Sequence, residues 1–417
     1  MNLKLRLVAM NFLQFFIWGA WLLTIGAYWF QHRHWSGAGF GAIFSTMGIA
    51  SLFAPSIAGI AADRWISAQK LYGLLHICGA IVLFAIPLVD SPSVLFWVML
   101  LNMACYMPTL ALAITVAYNA LKTDDNDVVR SYPPIRVWGT IGFIAALWTV
   151  SLLHLETSSG QFYVASGGSL LLGLYAFTLP ACPPRYIAPG RRRSLLDAMG
   201  LTSFRLLGDR NMAVFLLFAM LLGACLQLTN AYGDTFLHDF DRDPRFSGLL
   251  AVRYPAIIMS ISQLSETLFI LAIPFVLGRF GIKRVMLVSM FAWVLRFGLF
   301  AYGDPGTRLW MIVLSCIIYG LAFDFFNISG SLFVESQSDP SIRASTQGLY
   351  MLMTNGIGAM LGSSLSGLAI DHFFTGADGR KDWHAIWLAF ASCAFAMAVL
   401  FVPLFKCRRN HSTKAAG

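Results

Sequence analysis

Long apolar runs, nearly free of charge, recur along the whole chain. They fall at about 7–30, 40–62, 71–89, 94–118, 137–154, 161–180, 211–232, 254–278, 284–302, 309–333, 345–370 and 383–405. A bilayer-crossing helix needs about 20 apolar residues, and each run is near that length. The pattern predicts an all-α membrane protein of twelve transmembrane helices. The first run follows Lys4 and Arg6, as a secretory signal would. It is longer than a signal core and ends among Trp18, Trp21, Tyr28, Trp29 and Phe30, so it reads as a retained first span.

The polar segments between runs set the organisation. The longest basic connection, 181–210, holds Arg185, Arg191, Arg192, Arg193, Arg205 and Arg210 and leaves six runs on either side. The expected units are an N-terminal six-helix bundle at 1–180, this linker at 181–210, a second six-helix bundle at 211–405, and a tail at 406–417. Of 29 Lys and Arg, 21 fall on the side that carries both termini and seven in the alternating loops, with Arg296 inside a run. Basic residues are retained in the cytoplasm, so both termini are expected there. Arg191–Arg193 fits a topology signal touching anionic lipid. No nucleic-acid partner is expected.

Composition narrows the class further. The chain is 58% hydrophobic and 12% charged, with mean hydropathy +0.68. Soluble domains carry about 25% charged residues, so a soluble enzyme and a disordered chain are both excluded. Loop bias accounts for the net charge of +9. The cysteines (Cys78, Cys105, Cys182, Cys225, Cys316, Cys393 and Cys407) lie mostly within apolar runs and form no C-x-x-C pair, so they read as small buried hydrophobes. His32-x-His34 in a loop is a weak metal signal. There is no Walker motif, nucleophile elbow or metal-ligand box. Neither an enzyme, a cofactor nor a metal is expected.

Charges inside apolar runs carry the candidate chemistry, because each costs about 2.5–3.5 kcal/mol at the centre of a bilayer. Glu266, Arg296 and Asp324 stand out. Glu266 lies near the midplane of its run and Asp324 is similarly deep. Low dielectric favours the protonated form of a carboxyl group, which is the property a proton-coupling site requires. The competing reading for Asp324 is a permanent ion pair with Arg296. Helical spacing adds polar neighbours. Gln263 and Glu266 are i, i+3, as are Gln227 and Asn230. Arg136, Thr140 and Phe143 are i, i+4, i+7, and Tyr319, Phe323 and Asn327 are i, i+4, i+8. Amides, a carboxylate, a guanidinium and rings suit a planar heterocycle bearing a polyhydroxylated ring, or a sugar alone. Amides in spans also serve as glue between helices. Span eleven, with Gly356, Gly358, Gly362 and Gly367, suits close or moving helices.

A weak repeat links the halves. Gly59-x3-Asp63-Arg64 precedes the third run, and Pro274-x3-Gly278-Arg279 recurs 215 residues later, before the ninth. Two six-helix halves related about the membrane normal are the architecture of the major facilitator superfamily. The first turn resembles that superfamily's loop signature but departs from it at Ile66 and Ser67. Asp63 and Arg64 are therefore candidate residues of a cytoplasmic gate. Four stretches are more specific: Tyr106-Met-Pro-Thr109, Pro133 to Phe143, Ser262-Gln-Leu-Ser-Glu266 and Phe323 to Gly330. They resemble the bacterial nucleoside:proton symporter family of that superfamily, over nearly the whole chain.

The resemblance implies proton-driven nucleoside uptake in the bacterial inner membrane, with the proton gradient as energy source. It implies a pocket between the halves built largely from Arg136, Thr140, Phe143, Gln227, Asn230, Gln263, Glu266, Tyr319, Phe323 and Asp324, the first nine of them binding substrate. Asp324 and Glu266 are then the proton-coupling residues. By analogy the unit is a monomer. A proton-coupled sugar porter and a non-transporting nucleoside sensor are the alternatives.

Overall fold

The computed structural model describes residues 2–125, 127–184, 207–337 and 343–405. Most of the 181–210 linker and the 406–417 tail lie outside these residues. The described residues are helical, apart from connections and one isolated bridge between Thr375 and Lys381. The first bundle comprises α1 (Leu3–Gly19), α2 (Gly37–Arg64), α3 (Ala68–Ala85), α4 (Pro92–Thr123), α5 (Val128–Leu152) and α6 (Gly160–Ala176). The second comprises α7 (Arg210–His238), α8 (Pro255–Phe280), α9 (Ile282–Tyr302), α10 (Leu309–Gln337), α11 (Arg343–Met351), α12 (Ala359–Phe373) and α13 (Trp383–Leu404).

Local chemistry sets the helix ends. Asp209 and Asp382 cap α7 and α13, accepting from the N–H groups of Met212 (2.9 Å) and Ala385 (3.0 Å). Pro92 and Pro255 open α4 and α8, where a missing N–H costs nothing. Gly281, at φ 76°, makes the one-residue link between α8 and α9, a backbone region that disfavours any side chain. Outer faces are apolar: Leu268, Leu271 and Phe275 on α8 are exposed, as suits a helix facing hydrocarbon.

Among the described residues, nine helices are long and apolar enough to cross a membrane: α2–α5, α7–α10 and α13. The other three runs fold differently from the expected unbroken spans. The first breaks after Gly19, and a turn, a short helix at Ile25–Ala27 and a π turn at Tyr28–His32 follow. Helix α6 has only 17 residues. The eleventh run is interrupted between α11 and α12 by a π segment, Leu352–Gly358. Wide turns of this kind recur at functional sites.

In the first bundle α1 packs on α5, α2 on α4 and α3 on α6; in the second, α10 packs on α8 and α9, and α9 on α13. The bundles meet along two seams, α2 with α12 and α5 with α8. At one end these seams are tight. A Cβ on Gly41 would overlap the Ser363 carbonyl, so only glycine permits α2 and α12 to approach there. The Gly37 N–H donates to Asp371 Oδ1 (2.9 Å) and Trp148 Nε1 to Ser260 Oγ (3.0 Å). The His154 and Tyr254 rings stack at 5.3 Å. Lys381 Nζ lies 3.9 Å from the Phe30 ring centroid, and burial holds its pKa below the ordinary lysine value.

Candidate functional site

Away from the tight end, the bundles enclose a cavity of about 580 Å³. Cavities of roughly 300–1,000 Å³ take ligands of drug size. The cavity extends from Leu22 and Leu23, just beyond α1, to Ser56 in the last turns of α2 and Gly348 in α11. It therefore reaches towards the face where α1 begins and α10 ends, opposite the tight end.

All nine residues expected to bind substrate line this cavity. Helix α5 supplies Arg136, Thr140 and Phe143 from one side. Their spacing returns them to one face, since seven residues at 100° each fall only about 20° short of two full turns. The second bundle supplies Gln227 and Asn230 on α7, Gln263 and Glu266 on α8, and Tyr319 and Phe323 on α10. The Tyr319 and Phe323 rings stack, with centroids 5.8 Å apart and planes at 14°. The Arg136 guanidinium sits 4.0 Å from the Phe15 centroid. Arg136 and Glu266 face the cavity from opposite bundles. Two buried polar atoms on lining residues, Trp18 Nε1 and Gln227 Oε1, have no hydrogen-bond partner.

Four expected residues lie elsewhere. Asp324 is 3% exposed and does not line the cavity. It follows Phe323 directly, so it points about 100° around the helix from the ring. Its Oδ2 has no hydrogen-bond partner. Asn327 is also off the main cavity. Eight residues from Tyr319 leave it about 80° round the helix, where it accepts from the Tyr350 hydroxyl (3.2 Å). Asp63 and Arg64 are exposed at the end of α2. Asp63 borders a separate hollow with Tyr118, Asn119 and Lys122 of its own bundle. The proposed Arg296–Asp324 ion pair is absent. Arg296 is buried and donates from Nη1 to the Ser315 carbonyl (2.5 Å), with its guanidinium 4.8 Å from the Tyr319 centroid.

The sequence reading missed several lining residues. Phe15 and Trp18 of α1 and Met47 and Ser51 of α2 carry no signal in an apolar run, because none of them costs much in lipid. Asn355, in the π segment, had one: it is an amide within an apolar run. Four cysteines, Cys105, Cys182, Cys225 and Cys316, are buried as expected, whereas Cys78 and Cys393 are exposed.

Two bundles of helices clasping, at their seam, a cavity that combines apolar walls with buried polar and charged groups form a solute carrier, with the architecture of the major facilitator superfamily. The chain belongs to the nucleoside H+ symporter family, whose model matches residues 1–410. It is 53% identical over 408 residues to the xanthosine permease of Escherichia coli (strain K12), covering 97% of this chain and 96% of that one. It is 49% identical over 409 residues to the nucleoside permease NupG of the same organism, with the same coverage. The crystal structure of the nucleoside transporter NupG superposes with a TM-score of 0.91 at 48% identity, covering 98% of this chain and 100% of that one. These relatives are permeases, not enzymes.

Proposed function

We propose that this chain imports nucleosides together with protons across the bacterial inner membrane by alternating access. The observation that carries the reading is the cavity itself. It draws a guanidinium, hydroxyls and rings from one bundle and amides, a carboxylate and stacked rings from the other. Paired amide and carboxylate hydrogen bonds match a nucleobase and ribose, and rings match the base plane. In this reading Gln227, Asn230, Gln263 and Glu266 hold base or ribose, with Arg136 and Thr140 closing from the other side. Phe143, Tyr319 and Phe323 provide ring contact. Glu266 and Asp324 take up and release the proton, and Asp63 and Arg64 help close the cytoplasmic side.

The full arrangement is twelve spans in two six-helix halves, acting as a monomer with both termini cytoplasmic. The tight end then faces outwards and the structure is open inwards. Likeness to a xanthosine permease adds xanthosine to uridine and adenosine as substrates to try. The test is uptake of the three labelled nucleosides into proteoliposomes, with and without an inward proton gradient. Accumulation above equilibrium that collapses with an uncoupler is expected. Flux of none of them, or competition by free sugars alone, would replace the reading with a sugar porter. Binding without flux would replace it with a sensor.

A further inference from the structure

A second cluster of polar side chains stands at the tight end, outside the cavity. Asp234 and His238 lie i, i+4 on the last turns of α7, so one rigid helix face presents both. Glu156 reaches them from the α5–α6 connection of the opposite bundle. Glu156 Oε2 is 2.7 Å from His238 Nε2, and His238 Nε2 is 3.6 Å from Asp234 Oδ2. One ligand atom of each residue lies within 4.8 Å of the others. The other Glu156 oxygen, Oε1, accepts from the N–H of Ala256 at the start of α8 (3.3 Å). Just beyond the cluster, Asp239 is engaged by Trp383 Nε1 at 2.9 Å.

An ion pair between Glu156 and His238 accounts for one carboxylate. A second carboxylate, Asp234, shares the same imidazole at 3.6 Å; it is 1% exposed and its two oxygens have no hydrogen-bond partner. Buried charge is retained in proteins where it is paired or coordinates a metal. Two carboxylates and one imidazole are a donor set for borderline divalent cations, zinc above all. Ligand atoms on a tetrahedral zinc ion stand about 3.4 Å apart, given bonds near 2.0–2.1 Å. The observed separations of 2.7 and 3.6 Å fall on either side of that value.

We propose that Glu156, Asp234 and His238 form a zinc-class cation site that bridges the two bundles, and that a bound cation pins this face shut and arrests transport. The cation enters while the face is open, engages Asp234 and His238 on α7, and captures Glu156 as the bundles close. Inhibition therefore acts from the tight-end side and builds with turnover.

Zinc chloride titrated into the purified full-length protein against a chromophoric chelator tests this without reference to transport. One equivalent should bind, reversibly with EDTA, and Asp234→Asn, His238→Gln and Glu156→Gln should each weaken binding tenfold or more. X-ray absorption at the zinc edge should give a nitrogen and oxygen shell with an imidazole signature. In proteoliposomes, zinc added on the tight-end side should inhibit uptake, with a half-inhibiting concentration at least tenfold higher in each variant. A wild type that binds no zinc overturns the proposal, even if every variant misfolds. So does a shell containing sulfur, or wild-type zinc affinity in variants that keep the metal-free melting temperature.

Discussion

The two bundles use their buried polar residues in opposite ways. In the first, Gln14 is a hub. Its Nε2 donates to Thr109 Oγ1 (2.8 Å), while its Oε1 accepts from the Tyr72 hydroxyl (2.6 Å) and from His76 Nε2 (2.9 Å). The Tyr106 hydroxyl donates to the Gln14 carbonyl (2.7 Å), and Ser169 Oγ to that of His76 (2.8 Å). Four helices, α1, α3, α4 and α6, are tied together in this way. Among the described residues, the first bundle's buried side-chain polar atoms without a partner are Trp18 Nε1 and Ser151 Oγ. The second bundle leaves many more, including Gln227 Oε1, Trp293 Nε1, Asp324 Oδ2 and Ser329 Oγ. It also holds the buried charges Arg296 and Asp324, while Glu266 lines the cavity. A closed polar network specifies one shape. Unpaired polar groups in low dielectric are costly at rest and are retained where a ligand or proton completes them. The first bundle's buried network therefore acts as scaffold, although its α5 also lines the cavity, and in the proposed reading the second bundle bears the groups that titrate and most of those that bind.

The sharpest way to break this contrast is Glu266→Gln. The amide keeps shape and hydrogen bonding but cannot ionise. Concentrative uptake should fall at least 100-fold and lose its dependence on external acid, whereas wild-type uptake rises as the outside is acidified. Full accumulation by a folded Glu266→Gln carrier would remove the carboxylate from the mechanism. Asp324→Asn comes next. Because Asp324 is a buried carboxyl behind the cavity lining, with Oδ2 lacking a hydrogen-bond partner, its loss should uncouple transport without removing binding contacts. Proton-driven accumulation should drop tenfold or more, while nucleoside affinity measured by calorimetry stays within about threefold. A large loss of affinity would make Asp324 a binding residue instead.

The charges on α8 and α10 were legible in the sequence because each is expensive in an apolar run and needs a reason. So were the residues grouped by helical spacing on α5, α7, α8 and α10, and of those ten, Glu266 included, all but Asn327 line the cavity. Asn327 drifted off because helical phase error grows with separation: i+8 retains less of the face than i+7. Phe15, Trp18 and Met47 left no trace, since an apolar side chain towards a cavity looks the same as one towards lipid. The breaks at Gly19 and Leu352–Gly358 were hidden in the same way. Both lie inside the long apolar runs, and the close approaches that accompany them are tertiary: Gly19 approaches Phe143, and Gly358 the carbonyl of Met220. The Glu156–Asp234–His238 cluster joins the α5–α6 connection to the end of α7, more than 70 residues away, which no local pattern relates. Element identity thus came from local cost, whereas pairing across the seam needed the fold.

A smaller effect is expected at Phe323. Its ring stacks on Tyr319, and an aromatic contact is worth about 0.5–1.5 kcal/mol beyond area. Phe323→Ala should raise KM for nucleosides by roughly 2- to 12-fold, since about 1.4 kcal/mol is a factor of ten, with the proton dependence unchanged. An unaltered KM would show that the substrate does not use that wall of the cavity.

The smallest expected change in transport, and the most direct test of the scaffold side, is Gln14→Ala. The substitution leaves the Tyr72 hydroxyl, His76 Nε2 and Thr109 Oγ1 without the partner each has in Gln14. A buried polar group left unsatisfied costs about 1–3 kcal/mol, so the melting temperature of the purified carrier should fall by several degrees. Gln14 does not line the cavity, and neither do Tyr72, His76 or Thr109. Uptake per folded molecule should therefore stay within about threefold of wild type, with KM and proton dependence unchanged. Tyr72→Phe removes a single hydrogen bond and should give a fraction of the same thermal shift. If Gln14→Ala instead leaves the melting temperature intact and abolishes proton coupling, the first bundle's network is part of the proton path. The division between a scaffold and a working half would then fail.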